Sequence, residues 1–450
     1  AAVFDTAILG SNPSAPAKLM KILSKSKFFL KNIEKLFFPF YKKKEINKLF
    51  NVLQEGTAKE TKVAMFVGGC VRKHLSGENI DDIDIACIFS PKEIKDKLKN
   101  TKFKIIDTGL DHGSLTIILN QSKFEVTTLR KDIKTDGRHA EVLFTDDWSK
   151  DSQRRDFTIN SIYMDHKGNI FDPQSGKIDL KKKEVKFIGE PSVRIEEDYL
   201  RIIRFIRFSI QYSCEESDSK ALDAIKLNLN GIKKLSKERI ISELYKIFKL
   251  KNTDILLKNT ELRNIFSIIF PEFKYLDRLK KLSLLFEKHI LIQNPEFIFI
   301  TLLIDETDNY EYFCHKYKTS NKLKNELGIL ANNYMTFKAD NNFLKRDIKK
   351  NTYLIGKNNI KRLVNFIYCS NFKFSEKLRE EKIVEIDRIR IPPFPFNGQL
   401  LKDEGVIDGK KIGFALKELE DEWVKNNFKL DQEQITNIIN KAKDSNILNI

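Results

Sequence analysis

The sequence predicts an α+β protein, a small mixed sheet with helices followed by a longer all-helical remainder. Three observations carry this. From Val63 to about Ile188 short apolar runs alternate with turn residues, whereas from Arg194 onward apolar positions recur at helical spacing. Then Ile391-Pro392-Pro393-Phe394-Pro395-Phe396-Asn397-Gly398 interrupts the helical part with three prolines in four positions. At 450 residues the chain also exceeds one ordinary core, so two or more domains are expected.

Taken in order, residues 1–19 carry small residues with Pro13 and Pro16, and lack the arginines of a transit peptide or a sustained apolar signal core; Met20 is a candidate natural start. Phe28 to Tyr41 is rich in phenylalanine but broken by lysines, and no apolar run reaches the ~18 residues of a membrane span. Val63 to Val67 reads as a strand, Gly68-Gly69 as its end, and Val71 as the start of a helix-like segment. Phe103–Ile106, Ser114–Leu119 and Phe124–Leu129 read as further strands. After Pro191, Arg194 to Tyr212, Ser219 to Leu229 and Lys237 to Leu250 are helical by spacing. A short helical module should follow the proline break. In it, Gly409 to Leu419 opens a helix whose first turn is either capped in the ordinary way, the favoured reading, or offers backbone N–H groups to phosphate.

The formal net charge of +17 favours a polyanionic partner, although many lysines are scattered through amphipathic helices and an AT-rich genome raises Lys, Asn and Ile without selection for binding. The five cysteines Cys70, Cys87, Cys214, Cys314 and Cys369 are widely spaced and form no Cys-x-x-Cys. Neither a disulfide framework nor a zinc cluster is indicated, and a reducing, cytoplasmic location is expected. His112, His139 and the other histidines show no metal-ligand spacing.

The chemistry is concentrated in Asp81-Asp82-Ile83-Asp84-Ile85-Ala86. On an extended strand Asp82 and Asp84 point the same way, and two such carboxylates repel unless cations lie between them. A pair of divalent ions roughly 4 Å apart suits nucleotidyl transfer; the alternative is an acidic turn leading into a buried strand. Upstream, adjacent glycines in Phe66-Val67-Gly68-Gly69-Cys70-Val71-Arg72 let backbone N–H groups approach phosphate at a helix start. In Lys123-Phe124-Glu125-Val126-Thr127-Thr128-Leu129-Arg130, Glu125 is a candidate third carboxylate beside the strand of the aspartates, or a solvated edge residue.

Gln153-Arg154-Arg155-Asp156-Phe157-Thr158-Ile159-Asn160 brings two guanidiniums, a carboxylate and an amide within one or two helical turns: forked donors for a triphosphate, and partners for ribose hydroxyls. Glu196 to Arg207 is helical by spacing, with Asp198 and Arg201 on one face at i,i+3. An acceptor beside a donor fork matches the Watson–Crick edge of a base; an intrahelical salt bridge is the plainer reading.

Together these segments resemble the class II tRNA nucleotidyltransferase and bacterial poly(A) polymerase family of the polymerase-β-like superfamily. The motifs span Phe66 to Phe248, and Phe394 to Trp423 resembles the tail of alphaproteobacterial-type CCA-adding enzymes. The resemblance implies a polymerase-β-like head of mixed sheet and helices over residues 61–190, after an N-terminal segment with leading helices (1–60). An all-α neck (191–255), body (256–390) and tail (391–450) would follow.

For the site, the resemblance implies two Mg2+ on Asp82 and Asp84, with Glu125 a third catalytic carboxylate. Gly68, Gly69 and Arg72 would hold the triphosphate; Arg154, Arg155, Asp156 and Asn160 would contact triphosphate and ribose. Asp198 and Arg201 would pair with the base, supported by Glu197 and Arg204, and Asp172, Gly176 and Asp179 would form a hinge. Glu238, Arg239 and Glu243 fit a helical element that stabilises the site in turnover. One departure stands out: Lys73 occupies a position where the family usually has Asp.

The activity so implied is template-independent addition of CCA to the 3′ end of tRNA from CTP and ATP, with pyrophosphate released and the acceptor and TΨC arm bound by shape. Poly(A) synthesis and CC-only or A-only addition are the alternatives, and a monomer or weak dimer without a membrane partner is expected.

Overall fold

The computed structural model describes residues 39–109, 113–135, 140–212, 216–340, 342–371 and 373–444, with the backbone alone at 132–135 and 140–141. The expectations for residues 1–19, Met20 and most of Phe28 to Tyr41, and those for Cys214, His112 and His139, lie outside the described residues. The chain divides into two compact units, residues 1–235 and 236–450.

The first unit is built on a seven-stranded sheet in the order β3-β4-β5-β2-β1-β8-β9. Its strands are β1 (Ala64–Val67), β2 (Asp84–Cys87), β3 (Lys104–Gly109), β4 (Ser114–Leu119), β5 (Ser122–Thr128), β8 (Tyr163–Met164) and β9 (Ile170–Phe171). A separate ribbon pairs β6 (Arg130–Thr135) with β7 (Ala140–Phe144). All neighbours in the large sheet run antiparallel except β2 and β5, which are parallel with Asp84 opposite Glu125. The inner strand β1, between β2 and β8, is buried at every position, as its unbroken apolar run requires. Helix Pro91–Leu98 is fixed at its start by a capping box: Ser90 accepts from Glu93 N, and Glu93 accepts from Ser90 N at 2.7 Å.

The predicted neck helix is interrupted. Helix Pro191–Glu197 ends, Asp198 is extended (φ −159°, ψ 103°), and a second helix runs over Leu200–Gln211. The segment reads as one helix because the spacing of Ile195, Ile202, Ile203 and Ile206 stays helical across the break; Asp198 ends the first helix and caps the second, accepting from Leu200 N at 3.1 Å.

Among the described residues the second unit contains no strand. Its core holds Phe248, Phe266, Phe270, Phe273, Phe299 and Phe313, all at most 2% exposed. Residues 389–397 form no element, as the prolines demand, and helices Gly398–Asp403, Gly409–Lys425 and Gln432–Asp444 follow. Asp408 accepts from the N–H groups of Lys410 and Lys411, so the first turn after Gly409 is capped in the ordinary way. No helix among the described residues is long and apolar enough to cross a membrane.

Candidate active site

The site lies in the first unit, where β1 passes into a helix beside the start of β2. Gly68 caps helix Gly69–Leu75, which begins two residues before the expected Val71. Its φ of +69° belongs to the left-handed region that a side chain would strain. A Cβ at Gly68 would lie 3.8 Å from Asp84 Oδ2 and 3.9 Å from Arg155 Nη1, and one at Gly69 would lie 3.6 Å from Asp84 Oδ2. Glycine backbone, an acidic oxygen and a guanidinium therefore converge here.

Asp84 opens β2, while Asp82 precedes the strand; the two were expected on one strand. The pairing nevertheless reaches one residue earlier, because Glu125 N donates to Ile83 O at 3.0 Å. The Asp84 pKa is raised, first by burial and then by the charges of Asp82 and Glu125, against the opposing pull of Arg155 and Arg72. A buried carboxylate with two acidic neighbours, its charged form disfavoured in this way, fits a bound cation. Among the described residues no three His, Cys, Asp or Glu side chains converge on one point. The donor set suits an ion such as Mg2+, which takes one or two carboxylates and completes its shell from phosphate and water. Glu125 sits opposite Asp84 as expected, but its carboxylate already accepts from Thr116 Oγ1 at 3.0 Å and pairs with Lys123 at 2.6 Å.

The Arg154–Asn160 cluster is not helical. Helix Trp148–Gln153 ends with Arg154 as its C-cap, Phe157 is extended, and Thr158–Asn160 form a single 3-10 turn. What organises it is Asp151, fully buried and one helical turn upstream, which sequence reasoning missed. Asp151 accepts from Arg154 Nε at 2.8 Å, Arg155 Nη2 at 3.0 Å and the Tyr163 hydroxyl at 2.7 Å. Burial alone would raise its pKa, but Arg155 and then Arg154 carry it well below the carboxylate range. The i,i+3 and i,i+4 spacing to the two arginines was the available signal.

Asp156 is buried and accepts from Arg204 Nε at 2.8 Å and Asn160 Nδ2 at 2.8 Å. Burial pushes its pKa up, but Arg204 first and then Asn160 outweigh this and hold it at about 2. Arg72 is 6% exposed: it donates to Asn160 Oδ1 and to the Tyr212 hydroxyl, and its guanidinium carbon lies 4.6 Å from the Phe208 ring centre. Its guanidinium thus braces the Asn160 side. Phe208 and Tyr212 come from far along the chain, and no local pattern announced them.

Asp198 and Arg201 do not form an intrahelical pair. Arg201 Nη1 instead donates to Glu197 Oε2 at 2.5 Å and Arg194 O at 2.8 Å, and Nη2 to Arg154 O at 3.4 Å. Three of its five donors are taken, leaving Nε and one Nη2 hydrogen without a partner among the described residues. Glu197 is clamped on its other side by Arg194 Nη1.

The three hinge candidates are packed together under the 3-10 turn. Asp172 accepts from Gly176 N at 2.8 Å and Lys177 N at 2.9 Å, and Asp179 accepts from Thr158 Oγ1 at 2.7 Å. A Cβ on Gly176 would fall 2.0 Å from Thr158 O, so only glycine fits. Lys73 reaches Asp81 at 2.9 Å.

Known proteins resemble the chain over most of its length. Residues 64–186 match the family described as the Poly A polymerase head domain, and residues 218–276 match that described as a probable RNA and SrmB-binding site of polymerase A. The chain is 33% identical over 421 residues to the mitochondrial CCA tRNA nucleotidyltransferase 1 of Danio rerio, covering 89% of this chain and 93% of that protein. It is 35% identical over 293 residues to the CCA-adding enzyme of Oceanobacillus iheyensis, covering 62% and 69%. Among solved structures, the fold resembles the CCA-adding enzyme of Bacillus stearothermophilus in complex with CTP (TM-score 0.66, 22% identity, 89% and 98% covered). It also resembles that of Thermotoga maritima complexed with tRNA (TM-score 0.63, 18% identity, 91% and 98% covered).

Proposed function

Since the chain belongs to the CCA tRNA nucleotidyltransferase family, we propose that the site described above extends the 3′ end of tRNA by two cytidylates from CTP and one adenylate from ATP, releasing pyrophosphate each time. It is an enzyme, and CCA addition is its activity. The observation that supports this site for the chemistry is that Asp84 Oδ2 and Arg155 Nη1 both lie within 4 Å of where a Cβ on Gly68 would stand, with Asp84 Oδ2 also within 4 Å of one on Gly69.

Gly68, Gly69 and Nη1 of Arg155, which has no hydrogen-bond partner among the described residues, receive the triphosphate, with the first N–H groups of helix Gly69–Leu75 aimed at it. Asp82 and Asp84 would hold the divalent ions, two Mg2+ expected, which when bound supply the Lewis-acid chemistry that activates a hydroxyl and neutralises departing pyrophosphate. Glu125 adds negative charge beside Asp84 while Thr116 and Lys123 hold it in place. Arg154 stands at the triphosphate side, and Asp156 and Asn160, braced by Arg204 and Arg72, stand at the ribose. Asp198 and the two remaining donors of Arg201 pair with the base, and Glu197 fixes the direction of Arg201. Asp172, Gly176 and Asp179 form the joint about which the site readjusts between C and A.

Residues 61–190 serve as head, 191–255 as neck, 256–390 as body and 391–450 as tail, the helical part binding the acceptor and TΨC arm through phosphates and shape. We place the enzyme in the cytoplasm as a monomer or weak dimer, although the animal relatives are named as mitochondrial. Poly(A) synthesis is the second reading, because the matched head family carries that description. The test supplies Mg2+, a tRNA lacking its 3′ end, and CTP and ATP separately and together, and sequences the products. Addition of CC then A, with a stop, supports the reading; long A tails from ATP alone replace it with the second.

A further inference from the structure

Gly231 lies buried in the 3-10 segment Leu229–Lys234. A Cβ on it would fall 1.9 Å from Tyr199 Cε1 and 2.0 Å from Cδ1, so the tyrosine ring rests directly on the glycine backbone. Lys234 of the same turn brings its Nζ to 5.4 Å from the ring centre. Gly231 is not among the positive-φ residues, so its backbone conformation accepts alanine, and the three atoms nearest the added methyl all belong to the ring. Tyr199 is the residue at which the neck restarts as a helix: Asp198 before it is extended, and Tyr199 itself is helical (φ −60°, ψ −16°). Asp198 is its neighbour, and Arg201 stands two residues further on, after Leu200. The direction in which each leaves the backbone therefore depends on where this break is held.

We propose that the Tyr199 ring seated on Gly231 is a positioning device for base selection, fixing the break so that Asp198 and Arg201 face the incoming base. The proposal rests on the base-reading role given to those two residues above. A methyl at 231 must push the ring by more than an ångström, and the ring is joined to the chain one residue from Asp198. The helix Leu200–Gln211, whose Leu200, Ile202 and Ile203 are buried, resists moving as a whole, so the displacement is taken up at the break. Residues that touch no nucleotide would thus set its choice.

The test uses the full chain and four variants, Gly231→Ala, Tyr199→Ala, the double variant Tyr199→Ala with Gly231→Ala, and Asp198→Ala as reference. For each, kcat and KM are measured for CTP and ATP on tRNAs ending where each is due, with misincorporation of UTP and GTP, alongside Tm. Gly231→Ala is expected to raise the share of wrong nucleotide about tenfold, with most of the loss for CTP and ATP in KM. The double variant should match Tyr199→Ala, because removing the ring removes the clash. A purely structural contact would lower Tm and leave the ratio of correct to wrong nucleotide unchanged. Wild-type selectivity in Gly231→Ala, or in Tyr199→Ala should the former not fold, overturns the proposal while Asp198→Ala loses selectivity. Wild-type selectivity in Asp198→Ala overturns the base-reading role instead.

Discussion

Arg155 spends Nε and Nη2 on the buried carboxylate of Asp151 and leaves Nη1 facing the space over Gly68. One acid thereby fixes the direction of a flexible guanidinium, and the same acid holds Arg154 and Tyr163.

Replacing Asp151 with Asn keeps the shape and removes the charge that both guanidiniums were built around. Breaking a buried pair in this way costs about 3 kcal/mol. The variant should unfold at lower denaturant and show a raised KM for both CTP and ATP, seen in steady-state kinetics. Unchanged KM for both nucleotides would show that Asp151 does not position the arginines.

The two glycines should respond differently to alanine. Gly68→Ala meets a positive φ, with a strain of about 1 kcal/mol or more, whereas Gly69→Ala makes ordinary contact at 3.6 Å from Asp84 Oδ2. Nucleotide binding by calorimetry should fall tenfold or more in the first and a few-fold in the second; the reverse order would contradict the geometry.

Lys73 forms an ion pair with Asp81, whose side chain is 71% exposed. Exposed pairs contribute under about 1 kcal/mol, so Lys73→Ala should retain stability and most activity. Lys73→Asp sets two acids together beside Asp82 and should be worse, and adding Asp81→Lys should restore it. Loss of all activity in Lys73→Ala would mean the lysine acts on substrate.

Acid stability carries the signature of Asp156. Its folded pKa of about 2 lies below the unfolded 3.8, so its stabilisation is complete above about pH 4 and lost as pH falls through about 2. The span corresponds to about 2 kcal/mol. Asp156→Asn should flatten that part of the stability curve measured by denaturant titration; a curve parallel to wild type would remove Asp156 from the account.

Much of this was legible in the sequence where the signal is local. Period-2 alternation placed Glu125 on a strand, and the structure pairs it with Asp84. Adjacent glycines after an apolar run announced the strand-to-helix turn. The break at Asp198 was illegible because apolar spacing continues through it, and what holds it includes Gly231, distant in sequence. The bracing of Arg72 was hidden for the same reason, since Phe208 and Tyr212 reach it only through the tertiary fold.

The most direct test of the central claim is the anomalous scattering of crystals grown with Mn2+ and CTP. A manganese peak is expected between the carboxylates of Asp82 and Asp84, with the triphosphate along Gly68 and Gly69 and beside Arg155. Ordered CTP whose triphosphate lies elsewhere, or manganese bound away from both aspartates, would contradict it.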